Sequence, residues 1–275
     1  MAKKKRIDLL LVEKGFFPTR EQARRAVLAG IVFHNQKKID KCGTFVDPDG
    51  VLEVRGNPCP YVSRGGLKLE AALRSFALDV RGKIALDAGA STGGFTDCLL
   101  KHGVKKVYAV DVGYGQLAWK LRQDPRVVVM ERTNIRYLKP EELGEKVDLV
   151  TLDLSFISLE KVLTVVKNLL KPDGEVVALI KPQFEAGRQY VGKGGIVKDP
   201  EVHQEVLSRV LKFAEDQGFV IKGLTYSPLP GADGNIEFLA WLSLNRDFKS
   251  SVSLEVVREV VRKAHQELLG AREKG

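Results

Sequence analysis

From residue 83 onward, short apolar runs alternate with amphipathic stretches, which is the pattern of β-strands and helices taken in turn. The apolar runs predict buried strands at residues 84–88, 107–111, 127–130, 147–153 and 176–181. Helical periodicity between them predicts helices at 96–101, 115–122 and 159–170. Strands that alternate with helices form a parallel sheet with helices on its faces. We therefore predict an α/β fold with a doubly wound parallel sheet.

The C-terminal part of the chain adds three further elements. Residues 219–226 and 238–244 flank a turn-rich stretch at 228–235, and they predict an antiparallel pair of strands at the sheet edge. Residues 254–269 have the periodicity of an amphipathic helix, which we expect to pack on the outside of the sheet.

The N-terminal residues predict a separate, smaller domain. Ile7, Leu10 and Leu11 share one face of a first helix. The capping-box pattern at residues 19–22 predicts the start of a second helix, and short strands are predicted at 31–33 and 51–54. Glycine and proline then indicate a linker. We predict a first domain at 1–56, a linker at 57–66 and a second domain at 67–275.

Composition narrows the class of partner. The formal net charge is +9, which favours a polyanionic partner such as nucleic acid, although a merely basic soluble protein has the same balance. The three cysteines lack paired spacing, which indicates a reducing compartment and no metal site. No apolar run approaches the ~20 residues of a membrane span, and the N-terminus lacks a signal-peptide pattern. We expect a cytoplasmic protein with no membrane partner.

A glycine-rich turn follows the first strand of the sheet and has the form Asp-x-Gly-x-x-x-Gly-Gly. This is neither a dinucleotide fingerprint nor a phosphate loop. The acidic residue, Asp87, would repel a pyrophosphate but suits a ligand that carries an amino group. Asp111 ends the second strand, where a carboxylate can accept hydrogen bonds from a ribose diol. These features favour S-adenosylmethionine over a dinucleotide.

Asn134 follows the third strand, where a polar group could contact adenine. Each feature also has a structural alternative: a turn shaped for packing, a solvated Asp111, and an Asn134 that only forms a turn. The predicted cofactor residues are Asp87, Gly89, Ala90, Ser91, Thr92, Gly93, Gly94, Phe95, Asp111, Val112, Asn134 and Asp153.

Two charged residues end the fourth and fifth predicted strands, namely Asp153 and Lys181. Adjacent parallel strands would place them at the same sheet edge, where an amine and a carboxylate can hold a hydroxyl nucleophile and manage its proton. A structural ion pair is the alternative. Lys68 and Glu237 could converge on the same place, although each could also be an ordinary surface charge. The Asp153-Leu154-Ser155-Phe156 sequence lacks the two prolines typical of enzymes that methylate base nitrogens.

The N-terminal segment resembles the S4 RNA-binding domain. The resemblance rests on Leu11-Val12-x-x-Gly15, Thr19-Arg20-x-x-Ala23 and Ala29-Gly30-Ile31-Val32. Basic residues of this segment and of the junction that follows it are candidates for contacts with RNA phosphates. They are Arg6, Arg20, Arg24, Arg25, Lys41 and Arg64.

The chain as a whole resembles the TlyA, or hemolysin A-like, family. The shared segments are residues 62–66, 86–100, 111–119, 131–134, 153–159, 181–184 and 234–237. The resemblance implies a small α+β S4 domain followed by a Rossmann-like, FtsJ-type methyltransferase domain. It also implies 2′-O-methylation of cytidine in ribosomal RNA, 16S or 23S or both, from S-adenosylmethionine, with ribosomal subunits as partners.

The family's catalytic tetrad maps by this resemblance onto Lys68, Asp153, Lys181 and Glu237. Lys181 would stabilise the developing alkoxide or take its proton, and Asp153 would orient that lysine. Phe156 could stack on a nucleotide lifted out of its helix, or it could be a core aromatic. Two other functions stay open at this point, a membrane-active cytolysin and a non-catalytic RNA-binding assembly factor.

Overall fold

A computed structural model describes residues 4–55, 59–231 and 234–270. The ends of the chain, part of the predicted linker (residues 57–58) and two positions of the turn-rich stretch (232–233) lie outside the described residues. Two compact units divide the chain after Arg64. The domain boundaries predicted from the sequence stay a prediction.

The first unit is a small α+β structure. Its elements are β1 (Lys5–Arg6), α1 (Ile7–Glu13), α2 (Arg20–Leu28), β2 (Val32–His34), β3 (Lys37–Ile39), β4 (Phe45–Val46) and β5 (Leu52–Val54). Both predicted helices form, and the Thr19 hydroxyl accepts a 3.3 Å hydrogen bond from the Gln22 N–H at the start of α2. The core packs Ile7, Leu10 and Leu11 against α2. The strands form an antiparallel sheet of order β3-β2-β5 and a separate β1-β4 pair.

The second unit contains the remaining elements. They are α3 (Gly65–Ser75), β6 (Ile84–Ala88), α4 (Gly94–Lys101), β7 (Lys106–Val110), α5 (Trp119–Arg122), β8 (Val127–Met130), α6 (Pro140–Leu143), β9 (Val147–Leu152), α7 (Glu160–Leu169), β10 (Leu170–Ile180), α8 (Pro182–Glu185), α9 (Pro200–Asp216), β11 (Val220–Tyr226), β12 (Phe238–Ser243) and α10 (Leu254–Gly270). Single 3₁₀ turns follow β8 and α8.

The seven strands of this unit form one sheet of order β11-β12-β10-β9-β6-β7-β8. The five central and distal strands run parallel, while β11 and β12 pair antiparallel at one edge, as predicted. The chain runs outward from β6 to β8 and then returns to start again at β9. This reversal lies between β6 and β9, and α/β sheets bind ligands at such a point, outside the carboxyl ends of the strands.

Side chains of the strands alternate between the two faces of the sheet. Leu86, Val150 and Ile180 belong to a buried cluster that also includes residues of α7, α9 and α10. Ala85 and Asp87 point to the other face, where Asp87 meets α4 through Thr96. No described helix is long and apolar enough to cross a membrane.

Several elements differ from the sequence prediction, among them two helices. The helix predicted at 115–122 is confined to Trp119–Arg122, because Gly115 has the left-handed φ of 73° and the chain stays irregular up to Ala118. The 17-residue helix α9 was not predicted at all. Its start carries a recognisable signal, since Asp199 caps it with a 2.8 Å bond from the Glu201 N–H and Pro200 occupies its first turn.

Candidate active site at the strand reversal

A cavity of about 580 Å³ opens at the carboxyl ends of β6, β7 and β9. This volume lies within the roughly 300–1,000 Å³ typical of small-molecule sites. Its lining residues are Gly89, Ser91, Val110, Asp111, Val112, Gln116, Thr133, Asn134, Ile135, Arg136, Asp153, Leu154, Ser155, Phe156, Ile157 and Lys161.

The turn after β6 lies directly against the loop after β9. Gly89 has a φ of 85°, and a side chain there would collide with the backbone carbonyl of Asp153. The Asp153 N–H also donates a 3.0 Å hydrogen bond to the Ala88 carbonyl. Glycine is required at position 89 because both the backbone conformation and the close approach exclude a Cβ. The two segments singled out from the sequence therefore meet.

Asp111 is held firmly at the rim of the cavity. Its two carboxylate oxygens accept 2.7 Å hydrogen bonds from the N–H groups of Ser91 and Gly113. Each oxygen keeps capacity for a further donor, which suits the two hydroxyls of a ribose. The neighbouring Val112 is 68% exposed and offers an apolar surface beside that carboxylate.

Asn134 lines the same cavity and also has a local structural role. Its side-chain oxygen accepts a 3.1 Å hydrogen bond from the Arg136 N–H and so caps the 3₁₀ turn of residues 135–137. The turn-forming interpretation of Asn134 therefore holds together with its place on the cavity wall.

Asp87 lies behind the cavity wall and is fully buried. Its carboxylate accepts hydrogen bonds from the hydroxyls of Thr96 at 2.7 Å and Thr151 at 3.0 Å. Burial raises the pKa of Asp87 to about 6, because desolvation disfavours the charged form more than the threonine hydroxyls stabilise it. This carboxylate ties β6 to α4 and β9 beneath the glycine-rich turn.

The predicted cofactor residues divide into two groups. Gly89, Ser91, Asp111, Val112, Asn134 and Asp153 are on the cavity wall. The turn and the first residues of α4, which lie outside the lining set, contain the others. They are Asp87, Ala90, Thr92, Gly93, Gly94 and Phe95. Contact of this second group with a cofactor stays a prediction.

Several lining residues were not predicted from the sequence. Thr133, Ile135 and Arg136 surround Asn134 directly after β8, and Ser155 follows Asp153 after β9. Their position just beyond strand ends was a usable signal, because ligand contacts in such sheets come from those loops.

Lys181 and Asp153 form an ion pair next to this cavity. The Lys181 Nζ lies 2.7 Å from the Asp153 Oδ1 and donates a 3.1 Å hydrogen bond to the Ser155 hydroxyl. Lys181 is only 9% exposed. The two residues follow the last residues of β9 and β10, which are neighbouring parallel strands. The predicted proximity of Lys181 and Asp153 is confirmed.

Lys68 and Glu237 form a second ion pair, with 2.5 Å between Nζ and Oε2. Their side chains are 13% and 3% exposed. Phe238 pairs with Ile180 in the antiparallel β10-β12 ladder, so one further step in register places Glu237 opposite Lys181. Residues opposite one another in such a ladder share a face of the sheet. The four residues therefore converge, as the resemblance implied.

Two buried lysine–carboxylate pairs at one sheet edge are costly, because desolvation of the charges offsets much of their attraction. Such an arrangement is weak evidence for stability. It is the kind of charge cluster that active sites use to hold and transfer protons.

Phe156 projects from the loop after β9 and is 90% exposed, so the interpretation of it as a core aromatic is wrong. Its backbone has a φ of 63°, which costs a non-glycine residue about 1–3 kcal/mol. Its ring lies 4.9 Å from that of Phe184, and the Lys181 Nζ is 6.0 Å from the Phe184 ring. An exposed aromatic surface thus stands beside the Lys181 amine.

The predicted RNA-binding residues of the first unit differ in whether other residues of the protein already bind their side chains. Arg6 and Arg20 both bind the carboxylate of Asp8, which is fully buried, at 2.9–3.0 Å. Burial raises the pKa of Asp8, but hydrogen bonds from the two arginines outweigh it and hold that pKa below its usual value. Both guanidinium groups keep an exposed side.

Arg25 is half-buried, and its Nη1 donates a 3.5 Å hydrogen bond to the Tyr61 carbonyl. The side chains of Arg24, Lys41 and Arg64 are exposed and form no ion pair with any described residue. These three are therefore the most available to a phosphate.

Comparison with known proteins agrees with this architecture. Residues 61–244 match the FtsJ-like methyltransferase model, and residues 5–52 match the S4 domain model. The Bacillus subtilis protein YqxC, which carries the label of an rRNA methyltransferase, is 54% identical over 97% of this chain and 96% of its own length. The 16S/23S rRNA (cytidine-2′-O)-methyltransferase TlyA of Mycobacterium tuberculosis is 45% identical, covering 97% and 99% of the two chains.

A solved Streptococcus thermophilus structure that carries the label hemolysin superposes with a TM-score of 0.79 at 48% identity, over 98% of both chains. The FtsJ-like match spans most of the second unit, and the identity to TlyA extends over nearly the whole chain. The chain therefore belongs to the TlyA family, in which an S4 domain precedes an FtsJ-like methyltransferase domain.

Proposed function

We propose that this methyltransferase transfers a methyl group from S-adenosylmethionine to the ribose 2′-hydroxyl of cytidine in ribosomal RNA. The observation that carries the proposal is that Asp153 of the Lys181–Asp153 pair lines the cavity, while Glu237 of the Lys68–Glu237 pair lies opposite Lys181 in the β10-β12 register. The Mycobacterium tuberculosis relative is named as a cytidine-2′-O-methyltransferase, which supports the choice of cytidine and of the 2′-oxygen. We place the reaction in the cytoplasm, on ribosomal subunits.

The cavity suits S-adenosylmethionine by the chemistry of its wall. Asp111 would accept hydrogen bonds from the ribose hydroxyls, and Val112 would cover one face of the adenine. The Asn134 side chain lies where it can contact the base edge. When bound, S-adenosylmethionine would supply an electrophilic methyl group, whose bond to sulfur breaks to leave a neutral thioether. Gly89 and Asp153, which lie against each other, would bound the part of the site next to Lys181.

Lys181 acts on the acceptor hydroxyl. The acceptor oxygen gains negative charge as its proton leaves to solvent, and an ammonium group fixed nearby stabilises that charge. The oxygen then uses this electron density to form the new O–C bond. Asp153 and Ser155 hold the Lys181 Nζ at 2.7 and 3.1 Å, so the amine is oriented before the RNA arrives. Preorganisation of this kind lowers the barrier because no reorientation is needed during reaction.

Glu237, which lies opposite Lys181 in the β10-β12 register, holds the acceptor ribose together with Lys68. The Glu237 carboxylate can accept a hydrogen bond from a sugar hydroxyl, and the ion pair with Lys68 holds that carboxylate in place. Phe156 presents its ring to the base of the same nucleotide, which must leave its stack for the 2′-hydroxyl to reach the cavity. The S4 domain supplies phosphate contacts that bind the surrounding RNA.

The test is tritiated methyl incorporation into purified ribosomal subunits from a strain that lacks this protein. Incorporation that depends on S-adenosylmethionine and maps to a cytidine 2′-oxygen is expected. Absence of incorporation into either subunit would reject the proposal, and lysis of erythrocytes by the same preparation would favour the cytolysin alternative instead. Binding of subunits without methyl transfer would favour the assembly-factor alternative.

A further inference from the structure

The segment between α8 and α9 carries an exposed glycine–lysine loop that the proposed mechanism does not use. Its tip is Gly192-Lys193-Gly194-Gly195, and all four residues are exposed. The Gly192 N–H donates 2.9 Å to the Ile196 carbonyl, and the Gly195 N–H donates 3.1 Å to the Gly192 carbonyl. These bonds close the tip into a compact turn.

The tip offers unused hydrogen-bond donors. The Lys193 amine forms no ion pair or hydrogen bond with any described residue, and neither does the backbone N–H of Lys193 or Gly194. Gly194 and Gly195 have φ values of 80° and 76°, and space for a Cβ is open around both. The glycines therefore leave the backbone accessible to a bulky ligand. Free N–H groups together with an ammonium group are the donors that bind phosphate.

Asn235 anchors the base of this loop. Its side-chain nitrogen donates a 3.0 Å hydrogen bond to the Gly195 carbonyl, and its side-chain oxygen accepts a 3.0 Å bond from the Val197 N–H. Asn235 is 2% exposed, and Val197 is equally buried. The His203 ring lies 3.2 Å from the Val197 carbonyl through its Nε2, which donates. The loop is thus fixed at its base and free at its tip.

The same short segment carries a residue of the proposed acceptor site. Asn235 precedes Glu237 by two residues, so their Cα atoms are at most about 7 Å apart. The Gly231 N–H donates 2.8 Å to the Asn235 carbonyl, and Gly231 packs directly on the Glu237 carboxylate. A ligand held by the loop tip is therefore close to the acceptor ribose.

We infer that the 192–195 tip binds an RNA backbone phosphate next to the acceptor nucleotide, and that Asn235 is the positioning residue that holds the tip beside Glu237. This inference rests on the proposed function, because it presumes an RNA acceptor at Glu237. Lys193 contributes charge and a flexible donor, and the glycine backbone contributes close approach. Because the contact is to a phosphate, it carries no sequence preference.

The experiment measures methyl transfer to purified ribosomal subunits over a range of subunit and salt concentrations, for the wild-type chain and for Lys193→Ala. We expect the KM for subunits to rise about threefold to tenfold, and the slope of log KM against log salt to fall by about 0.7–1. The kcat and the Kd for S-adenosylmethionine are expected to stay unchanged. Lys198→Ala is the matched control, because Lys198 is also exposed and unpaired among the described residues but lies beyond the loop base. Lys198→Ala is expected to change neither the KM for subunits nor the salt slope.

Asn235→Ala tests the anchoring role, with thermal unfolding and S-adenosylmethionine binding as controls for folding. Asn235→Ala should raise the KM for subunits through the same phosphate contact as Lys193→Ala. The KM of the double variant should therefore rise by less than the product of the two single increases. Equal KM and equal salt slope for wild type and Lys193→Ala would overturn the inference while leaving the proposed function intact. An inactive wild type would overturn the proposed function itself. Saturable binding of inorganic phosphate to the tip, seen as shifted amide signals of residues 193–195, together with an unchanged KM and salt slope for Lys193→Ala, would assign a free-anion site and overturn the RNA contact.

Discussion

The central sheet carries lysine–carboxylate pairs both where its parallel strands begin, the amino edge, and where they end, the carboxyl edge. The surroundings of these two sets of pairs differ. At the amino edge, Glu175 contacts Lys83, accepts a 3.0 Å bond from the Trp241 ring N–H and lies 3.6 Å from Lys222. The Lys222 Nζ is itself enclosed between the rings of Trp241 and Phe248, at 4.0 and 4.2 Å. Lys83 and Lys222 thus both contact Glu175, and these three residues line a smaller cavity of about 220 Å³.

At the carboxyl edge, Asp153 of the Lys181–Asp153 pair lines the larger cavity of about 580 Å³. Lys181 and Glu237 are held by one partner each in ion pairs, and the neighbouring aromatic residue, Phe156, faces solvent at the cost of a strained backbone. The same residue types therefore serve two purposes. At the amino edge, the mutual contacts of the charges and rings stabilise the sheet. At the carboxyl edge, the pair that reaches the larger cavity and the exposed Phe156 ring can act on a ligand.

The sharpest test of this contrast removes one lysine from each edge. Lys181→Ala is expected to lower kcat for methyl transfer by about 10²–10⁴-fold, because the acceptor oxygen loses the ammonium group that stabilises its negative charge. The Kd for S-adenosylmethionine, measured by calorimetry, should stay within a factor of about two.

Lys83→Ala is the matched control at the amino edge. It should leave kcat unchanged while lowering the free energy of unfolding by about 1–3 kcal/mol, since Glu175 loses a buried partner. The contrast fails if the two variants have the same effect on kcat.

A pH titration of stability probes the buried carboxylate beneath the active edge. Burial raises the pKa of Asp87 from 3.8 to about 6, so the folded chain holds this proton more tightly than the unfolded chain does. Asp87 therefore adds stability below pH 4, and this contribution is lost as the pH rises to about 6. The difference of about two pH units corresponds to about 3 kcal/mol.

Asp87→Asn removes this titration, and denaturant unfolding of both chains measures it. The free energy of unfolding of the variant relative to wild type should rise between pH 4 and pH 6 and then level off. A difference that stays flat over this range would show that Asp87 titrates normally. The comparison between chains isolates Asp87 from His203, whose pKa burial lowers to about 4 and which therefore acts in the opposite direction.

Asp111→Ala tests the cofactor end of the cavity. Loss of a carboxylate that receives hydroxyl donors should weaken S-adenosylmethionine binding by about 1.5–3 kcal/mol, or roughly tenfold to a hundredfold in Kd. Calorimetry measures this directly. Glu131→Gln is a useful control, because Glu131 also contacts backbone of the 113–117 loop, through the Gly115 N–H, but does not line the cavity. Equal loss of affinity in both variants would assign Asp111 a purely structural role.

Phe156→Ala has the smallest expected effect on the reaction. Loss of one base-stacking contact is worth about 1–3 kcal/mol, so kcat/KM for ribosomal subunits should fall about tenfold or more while S-adenosylmethionine binding is retained. Phe156→Tyr, which keeps a stacking ring, should restore most of the activity. If Phe156→Ala keeps full kcat/KM, the exposed ring has no part in RNA recognition.

Much of the fold could be predicted from the sequence because strand periodicity and chain order are local properties. The runs at β6 and β8 match the structure to the residue, and the antiparallel edge pair follows from its turn. Helix α9 was not predicted, although Asp199 followed by Pro200 is a typical start of a helix. Strand β10 begins at Leu170, ahead of the prediction, because an irregular stretch with Pro172 and Gly174 interrupts its apolar run.

The sequence predicted the site residues that follow neighbouring strand ends, but not which side chains are buried behind the cavity. Asp153 and Lys181 follow neighbouring strands, so their proximity follows from topology alone. The full burial of Asp87 was not predicted: its side chain lies on the α4 face, because alternate residues of β6 point to opposite sides, and its contact with a cofactor stays a prediction. The position of Glu237 opposite Lys181 depends on the β10-β12 register, and the Lys68–Glu237 contact depends on how α3 packs, so only the family resemblance indicated either one.

The central claim is that the lysine–carboxylate pairs at the carboxyl edge act on a ribose hydroxyl. The most direct test digests ribosomal RNA, methylated in vitro by wild type and by Lys181→Ala, to nucleosides for mass spectrometry. The account predicts 2′-O-methylcytidine with wild type and none above background with Lys181→Ala. A methyl group on a base, or equal methylation by the two chains, would contradict it.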